Sequence, residues 1–336
     1  MNCRGRGGLI VSTLVVQLAV GCGDDADPTP SDAGMDAGPG ASGSGGKGGS
    51  GGKGGSGAKG GSGGSGGGGA TDAQEVTIRF QANIGDETFE CGKTYTGVGT
   101  TQSTSVGAMD FRMFVQDLAL IDDDGKEVPV ELAVREPWQQ ASVALLDFED
   151  GSGSCSASGT SETNFEITGT VPKGTYKGIT FANGVPEALN HGDPTEHDDP
   201  LKTYASMSWG WLLGFRFVIV ELSAQSQEDG GVAGGLLHLG STGCSNQAAE
   251  DGGVDFEAPP AIECLKANRN KVTLMNYKLG ESVIVADAAK LFEQVDLAAG
   301  ATCHSGGDAC PSIFESAGVK FSDGTTLSSQ TFYRVE

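Results

Sequence analysis

Residues 206–222 read SMSWGWLLGFRFVIVEL. In an extended strand successive side chains point to opposite faces. If the chain is extended from 206 to 220, Met207, Trp209 and Trp211 share one face, and Leu213, Phe215, Phe217 and Ile219 continue it. Ser208, Gly210, Gly214 and Arg216 then fall on the other. An unbroken apolar row of this kind is the core face of a central strand. Two of the chain's three tryptophans lie in it, one residue apart and beside a methionine. Core packing accounts for that placement, and so does a metal or redox site. Strand parity alone favours core packing.

Similar signals run through the rest of the chain. EVTIRF (75–80), DFRMFVQDLALI (110–121), GTYKGITFA (174–182), LGFRFVIVEL (213–222) and KVTLMNY (271–277) are rich in β-branched and aromatic residues, several of them alternating. Turn residues punctuate them at DDDG (122–125), PKGT (172–175) and EDGG (228–231). The DDDG tract lacks the spaced ligands and closing Glu of an EF-hand and reads as a hairpin turn. Helix signals are confined to VADAAKLFEQVD (285–296) and PSIFESAG (311–318). The pattern predicts an all-β, antiparallel β-sandwich with long loops, disulfides and a small C-terminal helical element.

The N-terminal part has a different character. Residues 1–21 carry Arg4 and Arg6, then the apolar run LIVSTLVVQLAV and small residues ahead of Cys22. A basic n-region and a short apolar segment form a secretory signal. LAVGC resembles a bacterial lipobox with Ala19 in place of the usual Leu, so lipidation of Cys22 is expected; plain secretion with a free Cys22 is the alternative. From Gly38 to Gly69 the chain is nearly all Gly, Ser and Lys, with Lys47, Lys53 and Lys59 at six-residue intervals. Such a segment buries no apolar area and reads as a flexible tether. The expected organisation is a signal peptide at 1–21, a lipid-anchored tether at 22–74 and one β-domain at 75–336.

The formal net charge of −23 argues against nucleic-acid binding. Beyond Cys3 and Cys22, six cysteines remain: Cys91, Cys155, Cys244, Cys264, Cys303 and Cys310. None forms a CxxC pair, and a secreted chain meets an oxidising compartment, so disulfides are expected in preference to zinc. Cys303 and Cys310 enclose the short loop HSGGDA and are expected to bond to each other.

No hydrolase signature is present: GxSxG, HExxH and a Walker loop are all missing, and Cys303-His304 lacks the upstream cysteine of a haem motif. There are four histidines. His191 and His197 lie in the Pro- and Asp-rich loop GVPEALNHGDPTEHDDPL, and His238 sits among Leu236, Leu237 and Leu239. A histidine in an apolar strand is hydrogen-bonded, neutral or a ligand. Imidazole and thioether together suit copper where thiols are already oxidised. Taken singly each histidine reads as structural; together with Met207, His191, His197 and His238 could enclose one small site.

The ordered set CG (91–92), LLDFEDGSGSC (145–155), GVPEALNH (184–191), MSWGW (207–211), HLGSTGC (238–244) and CLKANRNKV (264–272) resembles the MbnP-like proteins, the four-Cys, WxW members of a metallo-mystery pair. The resemblance covers about Thr77 to Phe332. It implies a periplasmic or surface copper-binding lipoprotein that is not itself an enzyme. Its implied partner is an MbnH-like dihaem enzyme of the MauG and cytochrome c peroxidase type, which oxidises a tryptophan to kynurenine and so supports copper binding. By resemblance Cys91, Cys155, Cys244 and Cys264 form two disulfides, Trp209 or Trp211 is the oxidised residue, and His191 and His238 are ligands with Met207 as a third. Kynurenine offers a ketone oxygen and an aniline nitrogen where indole offers only an N–H donor. WLLGFRF departs from the family's WQxGYKF at Leu212 and Phe215. Trp138 reads as packing, and His197 and His304 as surface-loop residues. The competing function is a structural or adhesive disulfide-stabilised lipoprotein without metal.

Overall fold

The alternating segments fold into two sheets. The computed structural model describes residues 72–155, 159–225, 232–246, 255–261 and 263–336. The signal segment, Cys22, nearly all of the tether and the turn at 228–231 lie outside the described residues. No helix among the described residues is long and apolar enough to cross a membrane.

The centre of the larger sheet is the strand Val106–Asp122, which contains DFRMFVQDLALI. On one side it pairs with Tyr176–Asn183 and then Lys271–Met275; on the other come Val218–Gln225, Val232–Leu239 and Ala301–Cys303. The smaller sheet runs Tyr333–Val335, Val283–Asp287, Ala73–Ile84, Glu166–Pro172 and Glu131–Leu132. Most pairings are antiparallel. Two are parallel: Ala73–Ile84 with Val283–Asp287, and Val232–Leu239 with Ala301–Cys303.

Directly paired residues project to the same side of a sheet, so register assigns the faces of the larger sheet. Phe111, Val220 and Leu237 form one fully buried row. Phe111 meets Phe332 at 6.0 Å and Met113 Sδ lies 3.5 Å from Tyr333 Oη, which places this row against the smaller sheet. Phe80 and Phe181 close the same interface edge to face at 5.5 Å. Burying each such side chain stabilises the sandwich by about 1.5–3 kcal/mol. The opposite row is Asp147, Arg112, Ile219 and His238. It is also buried, because the loop carrying the tryptophans and the disulfide-linked segments lie over it.

Among the described residues three disulfides join Cys91 to Cys155, Cys244 to Cys264 and Cys303 to Cys310. The last is the short loop expected from spacing. DDDG is a hairpin turn, closed by Lys126 N–H donating to Asp122 Oδ1 at 2.8 Å. PSIFESAG forms the helix Cys310–Ala317, ended by Gly318 at φ 85°.

Two expectations are corrected. The segment 285–296 is not one helix: Val283–Asp287 is a strand, followed by the single helical turn Ala288–Leu291 with Asp287 capping Ala289 N. The stretch 206–220 is not one strand either, since extended pairing begins only at Val218.

Candidate functional site

The break before Val218 has a local cause. Ala205–Met207 forms a 3-10 turn, and Ser208 then bridges to Phe215. Between them Trp209 N donates to Gly214 O, and Gly214 N to Gly210 O, both at 2.9 Å. Gly210 sits at φ 119° and Gly214 at φ 76°, in a region that glycine enters without steric cost. A Cβ on Gly214 would lie 2.6 Å from the carbonyl oxygen of Asn190. WGWLLG is thus a tight loop over the outer face of the larger sheet. Met207 is fully buried in the core, whereas Trp209 and Trp211 are each half-buried on the loop. Contrary to the parity reading, the three do not form a single buried row. Leu212 is buried in place of Leu213, while Phe215, Phe217 and Ile219 are buried as parity predicts.

The two tryptophans have different surroundings. The ring of Trp209 lies 6.2 Å from that of His238 and packs over Gly240, where a Cβ would fall 2.7 Å from Trp209 Cζ3. His238 is 6% exposed, and its Nε2 is 2.6 Å from Glu221 Oε1. Ile219 pairs with His238 and Glu221 with Leu236, so Glu221 and His238 are diagonal neighbours on one face. The carboxylate accepts a hydrogen bond from Nε2–H, which leaves Nδ1 of His238 as the acceptor. That Nδ1 faces Nδ1 of His304 at 3.0 Å.

Register also explains how His304 arrives there. Leu237 pairs with Cys303 in the parallel ladder, so the following residues, His238 and His304, come side by side. Ser305, at φ 59°, then donates from its hydroxyl to the carbonyl of His238 at 2.8 Å and accepts from Gly240 N at 2.9 Å. The Cys303–Cys310 loop thereby presents an exposed imidazole to a buried one. Burial and the neighbouring His238 lower the pKa of His304, and the His238 hydrogen bond lowers that of Glu221. The arrangement is a carboxylate–histidine pair with a second histidine, the pattern that orients imidazole for metal binding.

His191 lies elsewhere on the loop. Its Nδ1–H donates to Trp211 O at 3.2 Å, and its Nε2 accepts from Asn190 Nδ2 at 3.0 Å. Nε2 also lies 3.5 Å from Cys264 Sγ and 3.8 Å from Glu187 Oε1. The fully buried Asn190 accepts from Phe215 N at 3.1 Å and so ties this region to the base of the loop. Burial lowers the pKa of His191 and favours the neutral ring. No ring or hydrogen-bond contact among the described residues joins His191 to His238.

A charged cluster adjoins the Trp209 side of the same face. Arg112 donates to both carboxylate oxygens of Asp110, at 2.8 and 2.5 Å, while Glu149 Oε1 lies 4.0 Å from Arg112 Nε. Asp147 stands opposite Arg112 in the ladder and is fully buried, its Oδ2 without a partner. Burial, reinforced by Glu149, pushes Asp147 up to about 8.

Sequence reasoning singled out His238 and both tryptophans but missed His304 and Glu221. A charge at Glu221 inside the apolar run VIVEL is a signal that could have found the latter. Trp138 is packing: it is 8% exposed and stacks on Tyr204 at 5.3 Å. His197 is half-buried, its ring 6.3 Å from that of Phe215.

A family model described as MbnP matches residues 73–305. The solved structure of MbnP from Methylosinus trichosporium superposes with a TM-score of 0.63 at 24% identity, covering 78% of this chain and 98% of the other. A comparison with curated proteins finds no match.

Proposed function

The chain belongs to the MbnP family, and on that premise we propose that it is an extracytoplasmic copper-binding lipoprotein whose site is completed by oxidation of Trp209. The observation that carries this reading is the placement of the Trp209 indole 6.2 Å from His238, itself facing His304 through paired Nδ1 atoms. Two neutral imidazoles form a donor set that suits copper. His238 and His304 would hold the metal, and Glu221 would fix the ring of His238.

Kynurenine formation opens the indole C2–C3 bond. In balance, tryptophan and two equivalents of peroxide give N-formylkynurenine and two waters; hydrolysis by one further water releases C2 as formate and leaves C3 as the ketone. The oxidising equivalents would come from the MbnH-like dihaem partner of the cytochrome c peroxidase type. The half-buried position of Trp209 and Trp211 on a surface loop supports electron removal at this face. The product's ketone and aniline would add donors beside the two histidines. The chain's role is metal binding for acquisition, storage or sensing, with no turnover of its own. Its lipidated Cys22 and Gly-rich tether would hold it at a membrane surface in the periplasm or outside the cell.

Within this reading His191 and Met207 are not ligands of the same site. His191 is committed to the Trp211 carbonyl and the Cys264 side, and Met207 is enclosed in the core. The test is co-expression with the dihaem partner, followed by peptide mass spectrometry over 201–216. Kynurenine at 209 is the expected result. Unmodified tryptophan at both positions would return the chain to the structural reading.

A further inference from the structure

The Cys244–Cys264 disulfide differs from the other two in its surroundings. Both of its cysteines are half-exposed, whereas Cys155, Cys303 and Cys310 are fully buried. It also has an imidazole directed at it. His191 Nε2 and the two sulfurs all lie within 4.8 Å of one another. The Trp211 carbonyl holds the proton on Nδ1, so Nε2 carries the lone pair; it accepts from Asn190 Nδ2 at 3.0 Å with Cys264 Sγ 3.5 Å away, and metal binding replaces that amide hydrogen bond. Glu187 stands behind, one carboxylate oxygen 3.8 Å from Nε2 and the other paired with Arg269 at 2.5 Å.

We propose that this disulfide is a latent metal site: once reduced, Cys244 and Cys264 join His191 in binding a thiophilic d10 cation such as Zn2+, with Glu187 as the fourth donor. Tetrahedral zinc, with bonds of about 2.3 Å to sulfur and about 2.05 Å to nitrogen, separates those two ligand atoms by about 3.6 Å. The Nε2 to Cys264 Sγ distance is already 3.5 Å. The sulfur pair has to open, for which the exposed neighbours Gly243, Glu263 and Leu265 leave room, and the exposed Glu187 carboxylate has to swing in from its place 3.8 Å from Nε2.

The step balances with a dithiol as reductant. Thiolate attack on the exposed disulfide passes through a mixed disulfide. Two electrons and two protons pass to Cys244 and Cys264, and the dithiol leaves as its own disulfide. Zn2+ then displaces the two thiol protons to solvent. A carbonyl-oriented histidine beside the thiolates is the arrangement that tunes metal ligands elsewhere. This site is separate from the one at Trp209 and requires neither kynurenine nor the dihaem partner.

The test uses the full chain produced without the partner. The chain is reduced with limiting dithiothreitol, desalted without oxygen and titrated with Cd2+, whose thiolate charge-transfer band reports binding. Alkylation and mass spectrometry identify the reduced cysteines. The proposal expects selective reduction of Cys244 and Cys264 and one Cd2+ per chain, with none bound before reduction. His191→Ala should weaken binding at least about tenfold and Glu187→Gln by about tenfold. The double variant His238→Ala/His304→Ala should leave it unchanged, which separates this site from the copper site. Preferential reduction of another disulfide, or equal Cd2+ affinity in His191→Ala, would overturn it.

Discussion

His238 and His304, 66 positions apart in sequence, face each other through Nδ1 atoms separated by 3.0 Å. The parallel pairing of Leu237 with Cys303 brings them together, and the Cys303–Cys310 loop holds the second in place. This pair and His191 are two separate histidine environments around the tryptophan loop. If it is the copper-binding pair, His304→Ala should lower copper affinity as severely as His238→Ala, while His191→Ala leaves it near wild type. Isothermal titration of the partner-treated chain checks this. Equal losses in all three variants would merge the two environments.

Glu221 bonds His238 Nε2 at 2.6 Å. Its function in this account is to orient His238, so Glu221→Gln should weaken copper binding by about 10–100-fold. Kynurenine yield in the same variant should stay near wild type. A variant that loses the modification as well would make Glu221 part of the oxidation step.

Gly240 supplies the space under Trp209. An alanine there would place its Cβ 2.7 Å from Trp209 Cζ3 and 2.9 Å from the Phe215 carbonyl oxygen. Both contacts are under 3.0 Å, so the added methyl forces the indole and the Phe215 backbone apart. Gly240→Ala should destabilise the fold by about 1–3 kcal/mol and reduce kynurenine at 209. Chemical denaturation and peptide mass spectrometry report the two effects separately.

Asp147 links the charged cluster to pH. Burial and Glu149 push it up to about 8 from an ordinary 3.8, with Asp110 adding to that and Arg112 opposing it. Between about pH 4 and pH 8 the folded state keeps a proton that the unfolded state has lost, so stability falls as pH rises through that window. Asp147→Asn carries no titrating proton and should show a shallower fall in urea midpoint across the same range. Glu149 and Asp110, also raised, leave a residual slope. Parallel profiles for the variant and the wild type would remove Asp147 as its source.

Much of the sandwich was legible because strand formation there follows local alternation. Val76, Ile78 and Phe80 are buried on every second position of Ala73–Ile84, and DFRMFVQDLALI lies wholly within the longest strand. Where glycine torsions decide the path, alternation misleads: Gly210 and Gly214 turn WGWLLG into a loop that parity extends as a strand. Residues 285–287 read as helix in the sequence because their apolar run fits either state; parallel pairing with Gln81, Ala82 and Asn83 makes them a strand. The same kind of non-local pairing hid His304. Nothing near position 304 says that Cys303 will lie beside Leu237, so its neighbour reads as a loop residue.

The central claim is that Trp209, and not Trp211, is converted and completes the copper site with His238 and His304. The most direct measurement is copper bound per chain after co-expression with the dihaem partner, comparing Trp209→Phe with Trp211→Phe. The account predicts that Trp209→Phe loses the copper and Trp211→Phe retains it. Copper retained by Trp209→Phe, whatever Trp211→Phe does, would contradict it.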